Sequence, residues 1–264
     1  MELDFSKSTY QQMAGQREAY LLSTTAPLDG MWENAFFPMA DHWEIAHTKQ
    51  PIGFCSVNSE GKMLGFDVCR SAPQRSVFSQ CIERLGVSGA FASTAEPTYL
   101  SLCADHQRTM SVNAIMYAEN DHEQLTPAAP VGMNVRKAGP DDLANAISFG
   151  VSAIQANQDW LSGYFEERIR KNELFGLWNN TKLIATGECR ISPNQKKIAD
   201  VGMIVGATHR KKGLATFMLQ HLRSIGAQQG LKLICSTENS NTGAQKAIER
   251  AGFMPQNRIL NFTF

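Results

Sequence analysis

The sequence predicts an α/β protein of the α+β type, in which helices flank mixed, mostly antiparallel sheets in two tandem domains. Segments with strand-like and helix-like apolar spacing alternate along the chain, a polar and proline-rich break at residues 120–132 interrupts them, and the alternation then restarts. The chain of 264 residues is also long enough for two domains of ordinary size. We therefore expect a first domain over residues 1–125 and a second over residues 131–264.

The first domain is expected to begin with a polar arm, helical or loosely attached, over residues 1–20. Two apolar segments joined by a turn at residues 58–61, which contains Gly61, indicate a β-hairpin. The remaining pattern predicts a strand at 42–49, a helix at 74–85, a strand at 89–94, a helix at 98–106 and a strand at 111–119.

The second domain is expected to open with a strand at residues 133–138. Gly139-Pro140-Asp141-Asp142 then favours a helix start, because proline suits the first turn and carboxylates stabilise the positive helix end. A further helix is predicted to start at an Asp159 cap, and Gly252 suits the end of the last helix. The pattern predicts helices at 143–154, 159–172, 213–230 and 242–252, and strands at 173–179, 182–191, 200–205, 231–237 and 258–264.

Residues 200–215, DVGMIVGATHRKKGLA, carry the clearest functional signal. An apolar strand ends at Val205, and a basic turn at residues 210–213 leads directly into an amphipathic helix. The first N–H groups of a helix lack intrahelical partners and carry partial positive charge, while Gly213 permits close approach of a ligand. These residues predict a site for a phosphate-bearing cofactor. A solvated basic turn is the alternative.

Two motifs within this order of elements make residues 133–264 resemble the GNAT superfamily of acyl-CoA-dependent N-acyltransferases. The family motif Arg/Gln-x-x-Gly-x-Gly/Ala is matched by Arg210-Lys211-Lys212-Gly213-Leu214-Ala215, with Val205 five residues before the arginine. The family also has an Asn, an Ala three residues on and a Gly-Phe after the next helix, matched by Asn241, Ala244, Gly252 and Phe253. The resemblance implies a GNAT-like fold and an N-acetyltransferase that uses acetyl-CoA (coenzyme A).

The resemblance also implies how the donor is held. In the family, the amides of the turn bind the coenzyme A pyrophosphate, and the strand edge near Val205 binds the pantetheine arm and the thioester carbonyl. These cofactor-binding roles carry over to Val205, Gly206, Arg210, Lys211, Lys212, Gly213, Leu214, Ala215 and Asn241. The implied reaction is direct attack on the thioester by a primary amine of a small molecule or a protein, and the sequence carries no signature of that acceptor.

The sequence also contains candidate residues for proton transfer. An alkylammonium with a pKa of about 10.4 must lose a proton before it attacks, so a general base is expected. Glu188 and Asp200, carboxylates within apolar strands, are the candidate catalytic bases, and pairing with Arg190 or a water-facing position is the alternative for each. The tyrosine that many GNAT members use as an acid corresponds to Ile248 here. This departure keeps open a non-catalytic acyl-CoA-binding regulatory module.

The first half repeats part of this element order and resembles a degenerate GNAT-like domain. At the position of the cofactor turn it has Ser71-Ala72-Pro73-Gln74-Arg75-Ser76, which contains no glycine and whose proline removes an amide donor. We therefore expect this half to bind no coenzyme A, and instead to shape the substrate cleft or to pack against the other half.

Composition narrows the remaining classes of function. Lysine plus arginine equals aspartate plus glutamate at 25 each, so we expect neither nucleic acid nor a membrane surface as a partner. The six cysteines occur singly within apolar segments, which predicts buried free thiols and no metal site. The N-terminal residues match no targeting pattern, so we expect a cytoplasmic protein. The oligomeric state stays open, a homodimer included.

Overall fold

The computed structural model describes residues 1–120 and 129–264, which form two compact units. Unit 1 comprises Met1–Met116 together with Asn257–Phe264, and unit 2 comprises Tyr117–Gln256. The sequence-based division placed residues 131–264 in one domain, whereas the compact unit 1 includes Asn257–Phe264. Most of the proline-rich break, residues 121–128, lies outside the described residues.

Unit 1 is built on a mixed sheet with flanking helices. Its elements are β1 (Leu3–Ser8), α1 (Ala14–Ser23), β2 (Asp41–His47), β3 (Gln50–Val57), β4 (Lys62–Val68), α2 (Gln74–Leu85), β5 (Gly89–Ser93), α3 (Pro97–His106) and the first part of β6 (Thr109–Glu119). Strands β1 to β4 pair antiparallel in chain order, and β4 then pairs parallel with β5. In α2, Val77, Phe78 and Cys81 form the predicted apolar face and are fully buried.

The first 20 residues differ from the prediction of a polar arm. They form β1 and most of α1, and β1 pairs with β2 from Leu3↔His47 to Ser8↔His42. Only Leu3 and Phe5 contribute apolar side chains from this strand to the core. Such short alternation within a polar segment is too weak a pattern to indicate a strand.

The end of the chain completes the sheet of unit 1. Residues 259–263 of β12 (Phe253–Thr263) pair antiparallel with β5, from Ile259↔Ser93 to Thr263↔Gly89. Ile259 is 4% exposed and Phe262 is fully buried. A strand edge without a neighbour leaves backbone N–H and C=O groups unpaired, so β12 satisfies the edge of β5.

Unit 2 carries the second set of alternating elements. They are β7 (Asn134–Lys137), α4 (Leu143–Ile154), α5 (Gln158–Arg170), β8 (Leu174–Asn179), β9 (Lys182–Ile191), β10 (Ile198–Val205), α6 (Leu214–Gln228), β11 (Lys232–Glu238) and α7 (Thr242–Arg250). Strands β7 to β10 pair antiparallel in chain order, and β11 joins β10 in parallel. These pairings confirm the predicted mixed, mostly antiparallel sheet with flanking helices.

The helices of unit 2 cover opposite faces of its sheet. Ile204 packs with α4 and α5 in a cluster around Leu161 and Phe165, whereas the next residue, Val205, packs with Phe217 and Met218 of α6. Successive strand residues point to opposite faces, so this alternation is the one a strand requires. The cap of α5 is Asn157 rather than the predicted Asp159, because the Asn157 side chain accepts a hydrogen bond from the Trp160 N–H.

Candidate active site

The central feature of unit 2 is a fork between β10 and β11. The parallel pairing covers Ile198↔Lys232, Ala199↔Leu233 and Asp200↔Ile234. Beyond Asp200 the two strands line opposite sides of a cleft of about 800 Å³, with residues 201–205 on one side and residues 235–237 on the other. A sheet that opens in this way leaves backbone hydrogen-bonding groups available to a ligand.

The backbone of β10 shows which groups face the cleft. The Gly206 N–H donates to the Ile184 carbonyl of β9 at 3.0 Å. Because the N–H and C=O groups of successive strand residues alternate in direction, those of Val205 and Met203 point away from β9 and toward the fork. Val205 was predicted to hold the cofactor. Met203 was missed, although the period-two alternation from Val205 could have indicated it.

The cofactor turn, residues 210–213, lies at the mouth of the cleft. Lys211 and Gly213 both adopt left-handed backbone conformations, with φ of 61° and 78°. No atom lies within 4 Å of the position where a Gly213 side chain would begin, so the backbone is open to a ligand there. The Phe217 N–H donates to the Gly213 carbonyl as α6 begins. The preceding N–H groups of Leu214, Ala215 and Thr216 are therefore free of intrahelical bonds, which is the arrangement that favours an anion at a helix N-terminus.

Most of the predicted cofactor residues meet at this cleft. The lining residues include Val205, Arg210, Lys211, Gly213, Leu214, Ala215 and Asn241. Gly206 and Lys212 are not among the lining residues in the described part of the chain; Gly206 donates its N–H to β9, and Lys212 is an exposed residue of the turn. His209 lines the cleft and is half-buried beside the turn, with its Nδ1 atom 3.0 Å from the Thr208 hydroxyl.

The far wall of the cleft is formed by α7. Asn241 caps this helix, and its side-chain Oδ1 atom accepts a hydrogen bond from the Ala244 N–H at 3.1 Å. The amide nitrogen of Asn241 is not used in this bond and can donate to a ligand. Ile248, at the position of the family tyrosine, lines the same cleft and is 2% exposed. The wall at that position is apolar and carries no proton to donate.

The two candidate bases, Glu188 and Asp200, lie in one buried cluster with Arg190. Arg190 Nη1 donates to Glu188 Oε2 at 2.6 Å, and Arg190 Nη2 donates to Asp200 Oδ2 at 2.8 Å. Both carboxylates therefore have the pairing with Arg190 that the sequence left as the alternative. Neither is among the residues that line the cleft within the described ranges, although each has a cleft-lining neighbour in β10, since Asp200 precedes Val201 and Glu188 pairs with Gly202. The assignment of the base stays a prediction.

Tyr164 of α5 completes this Arg190 cluster and was not predicted from the sequence. Its hydroxyl donates to Glu188 Oε2 at 2.5 Å and accepts from Arg190 Nη1 at 3.1 Å. Burial and the Glu188 carboxylate raise the pKa of Tyr164. Burial disfavours the charge on Arg190, but Asp200, Tyr164 and Glu188 outweigh it and raise the pKa of the guanidinium well above its ordinary value. The cluster thus holds a permanent cation between two carboxylates next to the fork.

Unit 1 contains a related fork. Strands β4 and β5 pair in parallel only at Lys62↔Gly89 and Met63↔Ala90, and a cleft of about 880 Å³ is lined by residues 66–68 of β4 and by the starts of α2 and α3. Pro73, from the segment without glycine, is the N-cap of α2 and lines this cleft. The expectation that this unit binds no coenzyme A stays a prediction.

Other expected features can be compared with the described residues. Five cysteines are buried free thiols as predicted, but Cys69 is exposed at the end of β4. His221 is half-buried against Phe175 and Phe217, and burial lowers its pKa. Residues 1–120 and 129–264 contain no group of three potential metal ligands. Over the same ranges, no helix combines the length and apolar character needed to span a membrane.

The split pair of parallel strands and the glycine turn at its mouth agree with the acyl-CoA-dependent acyltransferases that the sequence motifs resemble. Residues 9–120 match the family model described as acetyltransferase (GNAT) domain, and residues 147–253 match the model of the acetyltransferase (GNAT) family. A comparison with curated proteins found no match.

Solved structures agree with these matches. An acetyltransferase of the GNAT family from Colwellia psychrerythraea is 36% identical over 100% of both chains, with a TM-score of 0.91. A tandem GNAT protein from the clavulanic acid biosynthesis pathway is 15% identical, with 100% of this chain and 98% of that chain covered and a TM-score of 0.73. A GCN5-related N-acetyltransferase from Sphaerobacter thermophilus is 13% identical, covers 98% and 94% of the two chains, and has a TM-score of 0.66. The last two show the fold alone.

The chain belongs to the GNAT family of acetyltransferases and carries two GNAT domains in tandem. At the level of the family, this membership supports acetyl transfer that depends on acyl-CoA.

Proposed function

We propose that unit 2 transfers an acetyl group from acetyl-CoA to a primary amine of a small molecule or a protein. The observation that carries this proposal is the fork itself, where backbone groups of Met203 and Val205 face a cleft whose mouth is the cofactor turn. The extended pantetheine arm of acetyl-CoA would pair with the strand backbone, and its anionic pyrophosphate would bind at the turn.

The residues of the cleft fit such a donor. The N–H groups of the turn and of the first residues of α6, here Leu214 and Ala215, would bind the pyrophosphate, and Lys211 adds positive charge. The strand edge at Met203 and Val205 would pair with the amides of the pantetheine arm. Acetyl-CoA supplies an activated acyl carbon and a thiolate leaving group.

Proton transfer in the proposed reaction depends on groups near the fork. The amine must be neutral to attack the thioester directly, and Glu188 and Asp200 remain the proposed bases, acting directly or through water. Because Ile248 replaces the family tyrosine, we propose that solvent protonates the departing thiolate. A coenzyme A thiolate tolerates this role, since a thiol is a much stronger acid than an alcohol.

A thiol-release assay with acetyl-CoA over a panel of amines tests the proposal. Gly213→Glu places a negative side chain into the open space at the turn, at a residue whose φ of 78° already disfavours a side chain. Gly230→Glu is the matched control, since Gly230 has a φ of 66° and equally open surroundings but follows the opposite end of α6. We expect turnover in the wild type and in Gly230→Glu, and loss in Gly213→Glu.

Calorimetry with coenzyme A separates catalysis from regulatory binding. Binding together with turnover of an amine supports the transferase, whereas binding without turnover on any amine supports the regulatory module. Absence of coenzyme A binding to the wild type refutes both.

A further inference from the structure

Arg210 makes two hydrogen bonds that its place in the cofactor motif does not explain. Its Nη2 atom donates to the Ala153 carbonyl at 2.7 Å, and its Nε atom donates to the Val205 carbonyl at 3.2 Å. One guanidinium therefore joins the end of α4, the end of β10 and the cofactor turn. Both bonds are directed to protein carbonyls rather than toward the open turn.

We propose that Arg210 is a positioning residue, which ties the cofactor turn to the C-terminus of α4 and does not itself bind the phosphates. This inference rests on the proposed binding of coenzyme A at the fork. It differs from the role carried over from the family motif, which placed Arg210 among the residues that hold the cofactor.

The Ala153 carbonyl is a suitable anchor. It belongs to the last turn of α4, where the final four carbonyls of a helix have no intrahelical partner and the helix dipole is negative. A cation that donates to such a carbonyl stabilises the helix end. Gln155, the left-handed C-cap residue of α4, donates its N–H to the Val151 carbonyl, and Arg210 adds a partner for a second carbonyl of the same helix end.

The second anchor of Arg210 is the Val205 carbonyl. This carbonyl points toward the fork, and the hydrogen bond from Arg210 holds the end of β10 in place where the chain leaves the strand for the turn. The turn then passes through Lys211, a residue with a side chain in the left-handed conformation, which is unfavourable without external support. Arginine can donate to two carbonyls from separate nitrogens in a fixed plane, whereas the single ammonium of lysine is a point donor.

Substitutions at Arg210 and Lys211 separate a positioning role from phosphate binding. A direct phosphate contact would be largely retained in Arg210→Lys, which keeps the charge. The positioning role predicts that Arg210→Lys weakens coenzyme A binding about as much as Arg210→Gln, by about tenfold for two lost hydrogen bonds of ordinary strength. The matched pair is Lys211→Arg and Lys211→Gln, for which a charge contact with the phosphates predicts tighter coenzyme A binding by the charge-preserving variant than by the neutral one.

A second measurement needs no ligand. Hydrogen exchange, followed by mass spectrometry, should speed up at the last turn of α4 in both Arg210 variants and stay at the wild-type rate in both Lys211 variants. With S-acetylpantetheine, which lacks the phosphates, the Arg210→Lys substitution should lower kcat/KM less than it does with acetyl-CoA. At saturating acetyl-CoA, kcat of Arg210→Lys should stay within about twofold of the wild type, because a residue that positions the donor site acts on donor binding.

The outcomes are distinct from those of the proposed function. Wild-type affinity in Arg210→Lys, or unchanged exchange at the end of α4, would overturn the positioning role while coenzyme A binding stands. Failure of the wild type to bind coenzyme A would instead overturn the function on which the inference rests.

Discussion

Glu96, at the start of α3, is a buried carboxyl group whose protonation should make the stability of unit 1 depend on pH. It is 5% exposed and accepts hydrogen bonds from the Tyr20 hydroxyl and the Ser93 N–H. Burial raises the pKa of Glu96 to about 8 from an ordinary 4.5, and the Ser93 N–H only partly opposes this rise. The folded protein therefore binds one more proton than the unfolded chain between these two pH values.

The sign of the effect follows from this difference in bound protons. Below pH 4.5 Glu96 is protonated in both states, and its contribution to folding is fully present. As the pH rises toward 8, Glu96 ionises in the unfolded chain but stays protonated in the folded protein. This ionisation stabilises the unfolded chain, so the free energy of unfolding falls. Each pH unit between these two values contributes on the order of 1 kcal/mol, so the whole range amounts to a few kcal/mol.

Glu96→Gln should remove this dependence. Glutamine has the same shape and does not titrate; its one amide oxygen can accept the Ser93 N–H, and its amide NH2 can donate to the Tyr20 hydroxyl oxygen. Urea unfolding followed by tryptophan fluorescence at pH 5.5, 6.5, 7.5 and 8.5 gives the free energy of unfolding for both proteins. The wild type should lose on the order of 1 kcal/mol per pH unit relative to the variant up to about pH 8.

Other titrating groups are common to both proteins and cancel in this difference. Glu83→Gln, at an exposed position of α2, removes the same charge from the same unit and should follow the wild type. A difference between the wild type and Glu96→Gln that is constant over the whole pH range would refute the reasoning.

Three further predictions concern the end of the chain and the fork. Deletion of Asn257–Phe264 removes Ile259 and Phe262 from the core of unit 1 and should cost well over ~3 kcal/mol, measured by urea unfolding; a stability equal to that of the full chain would contradict the pairing with β5. Gly252→Ala, with φ of 89° and an Arg223 nitrogen 2.1 Å from the new Cβ atom, should lower the melting temperature by an amount equivalent to more than ~1 kcal/mol, and an unchanged melting temperature would argue against it. Glu188→Gln or Asp200→Asn, whichever removes the base, should lower kcat by about 10²- to 10⁴-fold with an altered pH profile; kcat within tenfold of the wild type in both variants would exclude both carboxylates.

The family and the cofactor turn were predictable because their signals are local. The residues of the turn motif, Arg210 to Ala215, lie in one contiguous stretch of sequence. The second motif, which contains Asn241 and Gly252, follows it at a fixed spacing along the chain. The structure confirms the element order and brings most of these residues to one cleft. Short-range motifs of this kind specify local backbone conformation directly, as the left-handed Gly213 shows.

The Arg190 cluster was only half predictable, because it depends on strand register and on a distant helix. The sequence indicated that a carboxylate could pair with Arg190, but the register Asp200↔Arg190 decides that both do. Tyr164 reaches the cluster from α5, and nothing in the helical spacing of that segment distinguishes it from an ordinary core residue.

Long-range pairing accounts for the remaining differences. The terminal strand was predicted from its own alternation, but its partner, β5, lies more than 160 residues earlier, as in the pair Ser93↔Ile259. The residue pattern of a segment indicates a strand, but it does not indicate which other strand that segment pairs with. The exposure of Cys69 has a similar cause, since burial at the end of a strand depends on what packs beyond it.

The late position of the final strand has a consequence for synthesis of the protein. When β5 leaves the ribosome, the segment that covers its edge has not been made, and residues 94–256 must be translated first. At ~5–20 residues per second, the edge waits on the order of 10 to 30 s. During that interval the nascent chain presents an open strand edge, which is a known route to association between chains. Unit 1 thus reaches its native sheet only after residues 257–264 have been made, and a chain cut just before Asn257 would leave the first unit incomplete rather than the second.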